Sequence, residues 1–599
     1  MNQKRKLIFS LGLMGTMTFS GCALNQMVKA AKDQELTVTP SPLELHGDSV
    51  NFEMSAVLPA KLLKKGKVYT LQPSYQTAGA AQELPLDGVE FKAGDYEKGA
   101  QPRESETFAF AYDPAMRDGD LMVQGIASNP KNGKTKSSDK MKVADGIITT
   151  SQMVQDVNYA SFADHGYNDQ EELEPTNIEF FFPQGSAVLR TSEARSDRGK
   201  FLNAFIAEKN ATRTVTITGT HSPEGAERIN TRLAQDRAEA IEKYYRNNMR
   251  RYDYKGAADS IEFVIKPVVE DWTMFKEMLA EYGKIDEDQK SQILTIVNGS
   301  GSFEEKEDEL KRLPSYRAIF RDIYPELRVA KTEILTVKEK KPNSEISVLS
   351  LQVADGSISA DTLSDEELAF AATLTPSLTE KENIYKAATK KNDSWTSHNN
   401  LGAVYVEMAS KATSDQDKNR YIEMALTQFE LSNRKEENAE AFNNLAVVYM
   451  MQGNKQKAME AIDKASSLES TDDTSRGIAG VRGALLIRDG KYDQAITTLS
   501  QANESSVNAY NKGLAQLLKK DYQNAKTTLN EVISQEDKGT HAKAHYLLAV
   551  AAARTKDESQ LTSNLQKAVQ ADPSMKQYAL GDLEFNAYAE SESFRNSLR

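Results

Sequence analysis

Cysteine is almost missing: there is one in 599 residues, at position 22. A lone thiol excludes an intramolecular disulfide framework and any structural zinc site built on several thiolates. Long apolar runs are scarce as well. The N-terminal one, Leu7 to Phe19, falls short of the ~20 residues a membrane-spanning helix needs. Positive charge is not in excess, since 74 Lys+Arg face 87 Asp+Glu for a formal net charge of -13. Without a basic stripe to neutralise phosphates, nucleic acid is excluded as a partner. A phosphate loop, a nucleophile elbow, a His-Glu-x-x-His pair and a Gly-x-Gly-x-x-Gly turn after a strand are all absent. The chain is therefore expected to need no cofactor and no metal, and to be no enzyme. A cell-wall hydrolase would require two carboxylates converging in a cleft, which a sequence rich in Glu does not by itself provide.

What is present begins at the N-terminus. Lys4-Arg5-Lys6, the apolar run and Ser20-Gly21-Cys22 make a basic, a hydrophobic and a small-residue region in order, which reads as a secretory signal over residues 1–21. Small residues directly before a cysteine resemble the bacterial lipobox, whose thiol is diacylated and becomes the new N-terminus. That resemblance implies lipidation at Cys22 and attachment to the outer membrane through acyl chains, each buried methylene contributing ~0.8 kcal/mol. Residues 22–34 would be the tether. Ala23 to Lys29 hold no acidic cluster like the surface-export signal of Bacteroidota lipoproteins, which points to a periplasm-facing protein, with surface display as the alternative.

At roughly 100–200 residues per domain, the length predicts about three to five folded units. Residues 35–170 read as a β-sandwich of immunoglobulin-like size. Leu36–Pro40, Val50–Met54, Lys67–Leu71, Phe108–Tyr112 and Asp120–Gly125 alternate at period two, separated by turn clusters such as His46-Gly47-Asp48. Phe108, Phe110 and Tyr112 are expected on one face.

Residues 171–342 change pattern. Strand-like Asn177–Phe182, a helix with Phe201, Leu202, Phe205 and Ile206 on one face, strand-like Thr214–Gly219, a helix over Ala226–Asn247 and strand-like Ile261–Ile265 predict an α/β sandwich. A helical insertion from Asp271 to Arg328 precedes a last strand, Val329–Val337. Gly219-Thr220-His221-Ser222-Pro223-Glu224-Gly225, then Asn230, Leu233 and Arg237-Ala238, resemble the motif of the OmpA-like, peptidoglycan-associating domain at every spacing. In that family an aspartate pairs the ammonium of the stem peptide's diamino acid and an arginine clamps a carboxylate. The resemblance implies peptidoglycan contact through Arg237 and Asn230, with Ser222 at the aspartate position and Glu224 as the nearby charge. His221 is assigned no role.

After a linker at 343–360, residues 361–585 are helical and self-similar, and 586–599 form a tail. Phe442, Leu445, Ala446, Tyr449, Gly453, Ala458, Ile462 and Ala465 fall at offsets similar to the tetratricopeptide (TPR) repeat. Later units align on Gly483/Ala495, Gly513/Ala525 and Ala549/Leu561. Such repeats resemble protein-interaction solenoids whose first helices line a concave groove. Asn399, Asn400, Asn443, Asn444 and Asn511 on first helices are candidates to hydrogen-bond a partner's backbone, against the alternative that they are solvated. His541 and His545, four apart, are read as a repeat-face pair without metal.

The whole is expected to be a periplasm-facing lipoprotein that links an outer-membrane complex to peptidoglycan and recruits protein partners through its repeats. An accessory role in secretion or outer-membrane assembly suits that architecture. The alternative is a pure interaction scaffold whose OmpA-like domain no longer binds peptidoglycan.

Overall fold

A computed structural model describes residues 15–599, apart from 80–82, 158, 253, 255–256, 269–271 and 536–537; the side chains of 15–22 are outside the described set. The expected signal segment thus lies largely outside the described residues, as does the Cys22 side chain. The chain forms two compact units: residues 1–166 with 343–599, and Tyr167–Pro342.

The first unit opens with helix α1 (Gly15–Ala30). Leu24, Met27 and Ala31 are buried in the β-region core, so the segment given as a tether at 22–34 is docked from Leu24 onward. The strands are β1 (Glu35–Thr39), β2 (Leu43–His46), β3 (Ser49–Val57), β4 (Val68–Gln76), β5 (Glu83–Pro85), β6 (Val89–Lys92), β7 (Arg103–Ala111), β8 (Asp120–Asn129), β9 (Lys134–Asp145) and β10 (Ile147–Ile148). One sheet runs β1-β3-β2-β10 with β7 along β3, the other β5-β4-β8-β9 with β6 along β4. Side chains from both sheets fill one core, and β8 shows the alternation that makes this possible: Leu121, Val123 and Ala127 are buried between less buried neighbours. Phe108 and Phe110 point into that core and Tyr112 packs at its margin. β9 carries lysines on both faces and is exposed along most of its length, so no periodicity announced it.

The second unit has β11 (Leu173–Phe181), the short α2 (Thr191–Ala194), α3 (Asp197–Glu208), β12 (Thr212–Gly219), α4 (Glu227–Met249) and β13 (Glu262–Pro267). Then come α5 (Thr273–Glu281), α6 (Glu287–Asn298), α7 (Phe303–Leu310), α8 (Tyr316–Asp322) and β14 (Val329–Val337). The sheet order is β11-β14-β12-β13, with β14 antiparallel to both neighbours and β12 parallel to β13. α3 and α4 cover the sheet through Leu202, Ile206, Ala238 and Ile241. Gly219 ends β12 where a Cβ would come 1.9 Å from the Ala234 carbonyl oxygen, so glycine sets how closely α4 approaches. The four inserted helices have a core of their own, built on Trp272, Phe275, Leu310 and Tyr324.

The first unit resumes with α9 (Asn343–Asp355), α10 (Asp365–Ala371) and α11 (Leu378–Lys391). Antiparallel pairs follow: α12 (Trp395–Lys411) with α13 (Asp415–Lys435), α14 (Ala439–Met451) with α15 (Lys455–Ser466), and α16 (Asp472–Arg488) with α17 (Tyr492–Leu499). The last are α18 (Ser506–Leu518) with α19 (Tyr522–Ser534), and α20 (His541–Arg554) with α21 (Glu558–Ala571), before α22 (Ser574–Leu580) and α23 (Glu592–Ser597). The first helix of each pair is the more completely buried, which in an array means that it is covered on a second side.

Candidate functional site: an occupied groove

The cover on the first helices is the chain itself. Between β10 and Gly166 the backbone makes one short turn at Thr150–Met153 and then runs without regular structure across α18, α16, α14 and α12. We call residues 154–166 the strap.

Asparagines hold it in a repeated way. The Asn511 amide donates to the Gln155 carbonyl oxygen at 2.9 Å while its Oδ1 accepts the Gln155 N–H at 2.8 Å. Asn444 does the same to Ser161, at 2.8 and 2.7 Å. Asn400 repeats it on Ala163, at 3.1 and 2.7 Å. Each carboxamide satisfies both backbone groups of one strap residue, as a neighbouring strand would. Asn399 donates to the Ser161 carbonyl at 2.9 Å, and its Oδ1 accepts from Asn444 at 3.0 Å, so the two repeats are linked. Asn443 donates to the Ser161 hydroxyl at 3.0 Å, and its own Oδ1 is buried without a partner among the described residues. All five asparagines are 0–2% exposed, so the solvated alternative does not apply to them.

Side chains of the strap add shape. The Tyr159 ring lies over Gly477, where a Cβ would come 2.1 Å from the ring, and its hydroxyl donates to Asp473. Burial and the Asp473 charge push the Tyr159 phenol well above its ordinary range. Asp156 pairs Arg488, and the Gln155 amide oxygen accepts from Lys543 at 2.6 Å. Phe162 packs on Tyr385 with ring centroids 6.3 Å apart. Where the strap leaves, a cavity of about 280 Å³ remains, lined by Asp164, Asp365, Glu366, Tyr385, Ser397 and Asn400.

A second junction joins β2 to the far end of the array. Arg554 donates to Glu584 at 2.6 and 2.8 Å and lies 3.9 Å from Glu44. Thr150 also donates to Glu584, and His46 meets the Tyr492 hydroxyl at 2.9 Å. Burial pushes the Glu44 carboxyl up, but the His46 hydrogen bond and the Arg554 charge outweigh it and leave its pKa below the ordinary value. Asp582, beside Glu584, is raised by burial and by that neighbouring charge.

In the second unit, the loop after β12 gathers the residues expected to touch the cell wall. Arg237 is 1% exposed and donates to the backbone oxygens of Thr220 at 2.7 Å, Ser186 at 3.1 Å and Pro183 at 3.4 Å. Burial and the adjacent Arg328 charge hold its pKa down at about 10, against the pull of Glu224. Ser222 is buried and its hydroxyl accepts from Arg328 at 3.0 Å. Glu224 pairs Arg328 at 2.8 Å through one oxygen, the other being buried without a partner among the described residues. Asn230 donates to the Glu224 and Gly225 carbonyls and so ties α4 to the loop. Arg328, just before β14, is not announced by the motif because it lies 104 residues from Glu224. His221 is buried against Phe303, ring centroids 5.4 Å apart. Among the described residues no group of three or more His, Cys, Asp or Glu side chains is arranged to hold a metal ion. No helix of the described residues is long and apolar enough to cross a membrane.

Stacked helix pairs whose first helices grip an extended segment define a helical-repeat solenoid of the protein-interaction class. The tetratricopeptide repeat family matches residues 439–472, which are α14, α15 and the start of the next pair. No curated protein matches the chain. Among solved structures it is similar to YrrB, described as a TPR protein with an unusual peptide-binding site (18% identity, 33% of this chain and 96% of that one, TM-score 0.26). It is also similar to pilF of Pseudomonas aeruginosa (14%, 41% and 98%, TM-score 0.29) and to a tetratricopeptide repeat protein from Parabacteroides merdae (15%, 43% and 97%, TM-score 0.26).

Proposed function

We propose that the chain is a non-enzymatic scaffold of the bacterial outer membrane, lipid-anchored at Cys22, facing the periplasm and presenting its repeats to protein partners. The observation that carries this reading is the groove itself. Four buried asparagines, Asn399 and Asn400 on α12, Asn444 on α14 and Asn511 on α18, are committed to polypeptide backbone, and a fifth, Asn443, to a strap hydroxyl, which is the chemistry of peptide holding. Leu24 is buried two residues after Cys22, so an acyl anchor at the cysteine would hold the β region close to the lipid surface. Accessory service to a secretion or assembly complex fits this arrangement.

The Tyr167–Pro342 unit carries the Gly219–Ala238 spacing of OmpA-like domains, and we read it as such a domain turned to structural or protein contact. Arg237 spends its guanidinium on three carbonyls, while Ser222 and Glu224 face Arg328, so the groups that would clamp a stem peptide already have partners. Peptidoglycan linkage is the second reading, favoured by the Glu224 oxygen in that loop that has no partner among the described residues. Sedimentation of the full chain with purified sacculi separates them. The scaffold reading expects no co-sedimentation; pelleting that Arg237→Ala abolishes would establish the cell-wall link instead. The scaffold role is tested by in-cell crosslinking through the repeats, where capture of one stoichiometric envelope partner is expected. Failure to capture any protein would contradict it.

A further inference from the structure

Apart from the Asn443 bond to the Ser161 hydroxyl, the asparagine contacts from α12, α14 and α18 go to backbone N–H and C=O groups of Gln155, Ser161 and Ala163, which almost every residue type presents. No backbone–backbone hydrogen bond joins residues 154–166 to the helices among the described residues. The helix pairs close without the strap's help. Gly402 lies against Phe429, Gly483 against Leu499 and Gly513 against Leu529, each so near that a Cβ would come within 2.4 to 2.8 Å. Side-chain selection acts at a ring over Gly477, at the Asp156–Arg488 and Gln155–Lys543 pairs, at the buried Val157, Ser161 and Ala163, and where Phe162 meets Tyr385.

We propose that this groove is a docking site for an extended segment of a partner protein, patterned as the strap is, and that the strap is the resident occupant such a segment replaces. The pattern is an aromatic residue followed, two positions on, by small, aromatic and small residues, as in Tyr159 and Ser161–Ala163. The inference rests on the scaffold reading and names the chemistry of its partner. Because the strap is joined to the array through the same chain, it competes at an effective concentration on the order of millimolar. A partner gains the groove where it makes more contacts than the strap or is itself held nearby.

The test uses the full chain and a fluorescent peptide of residues 153–166. Wild type should bind it weakly, because the groove is filled. Ser161→Arg, which places a long cation at a buried strap position, should bind the peptide at least 100-fold more tightly. Adding Asn444→Ala to that variant should reverse the gain by tenfold or more. Equal binding by wild type and Ser161→Arg would overturn the proposal. So would a Ser161→Arg chain that keeps its helicity and melting transition yet binds no peptide. A Ser161→Arg chain that fails to fold would overturn it too, since the strap would then be a fixed part of the core. None of these failures touches the crosslinking result, which tests the scaffold reading separately.

Discussion

At the scale of single residues, asparagine is what holds the strap. A carboxamide has one acceptor and a two-hydrogen donor, which is what a free backbone residue needs, and Asn444 gives both to Ser161. Asn444→Ala would leave the buried Ser161 N–H without its partner and weaken the support of its carbonyl, at about 1–3 kcal/mol for each unsatisfied group. Urea unfolding should therefore show a clear drop for this variant. The drop for Asn443→Ala should be smaller, because Asn443 makes one bond to a strap hydroxyl and its oxygen has no partner among the described residues. Equal losses would mean that the paired bonds to the strap do not matter. The residue types and positions were legible in the sequence, since Asn399-Asn400 and Asn443-Asn444 recur at one place in successive units. Their acceptor was not. It lies 237 to 283 positions away, in a segment with no periodicity.

At the scale of elements, whatever had a period was readable: β8, β14, α3, α4 and the helix pairs all fall where alternation or 3.6-residue spacing put them. What lacked a period was missed. The strap has none, β9 is polar on both faces, and α1 continues beyond the apolar run into residues that looked like a tether. Met27 on α1 is fully buried, and truncating a buried Met to Ala costs about 2–5 kcal/mol. Met27→Ala should consequently lower the melting temperature of the chain. An unchanged melt would show that α1 is a loose leader rather than part of the β core. In the second unit the motif residues were legible, whereas Arg328, which binds Ser222 and Glu224, comes from the distant turn before β14 and no spacing announces it.

At the scale of the whole molecule, the β region and the repeats form one compact unit, joined by the strap and by the Glu44–Arg554–Glu584 junction. This coupling was the least legible feature, because domains show in a sequence as patterns and a junction of single residues leaves none. It has a pH signature. Asp582 is raised by burial and by Glu584, so the stability it contributes is present below its unfolded value, near 3.8, and is lost as pH rises through its folded value. Between pH 4 and 7, Asp582→Asn should show a less negative change in melting temperature with rising pH than wild type. Parallel curves would contradict the assignment.

The central claim, that the array holds its own chain in its groove, is tested most directly by amide hydrogen exchange on the full chain. The N–H groups of Gln155, Ser161 and Ala163 belong to no helix or strand, yet each is bonded to a buried asparagine. They should exchange orders of magnitude more slowly than an open coil, and Asn444→Ala should release Ser161 most strongly. Exchange of all three at the rate of an unstructured peptide would contradict the account.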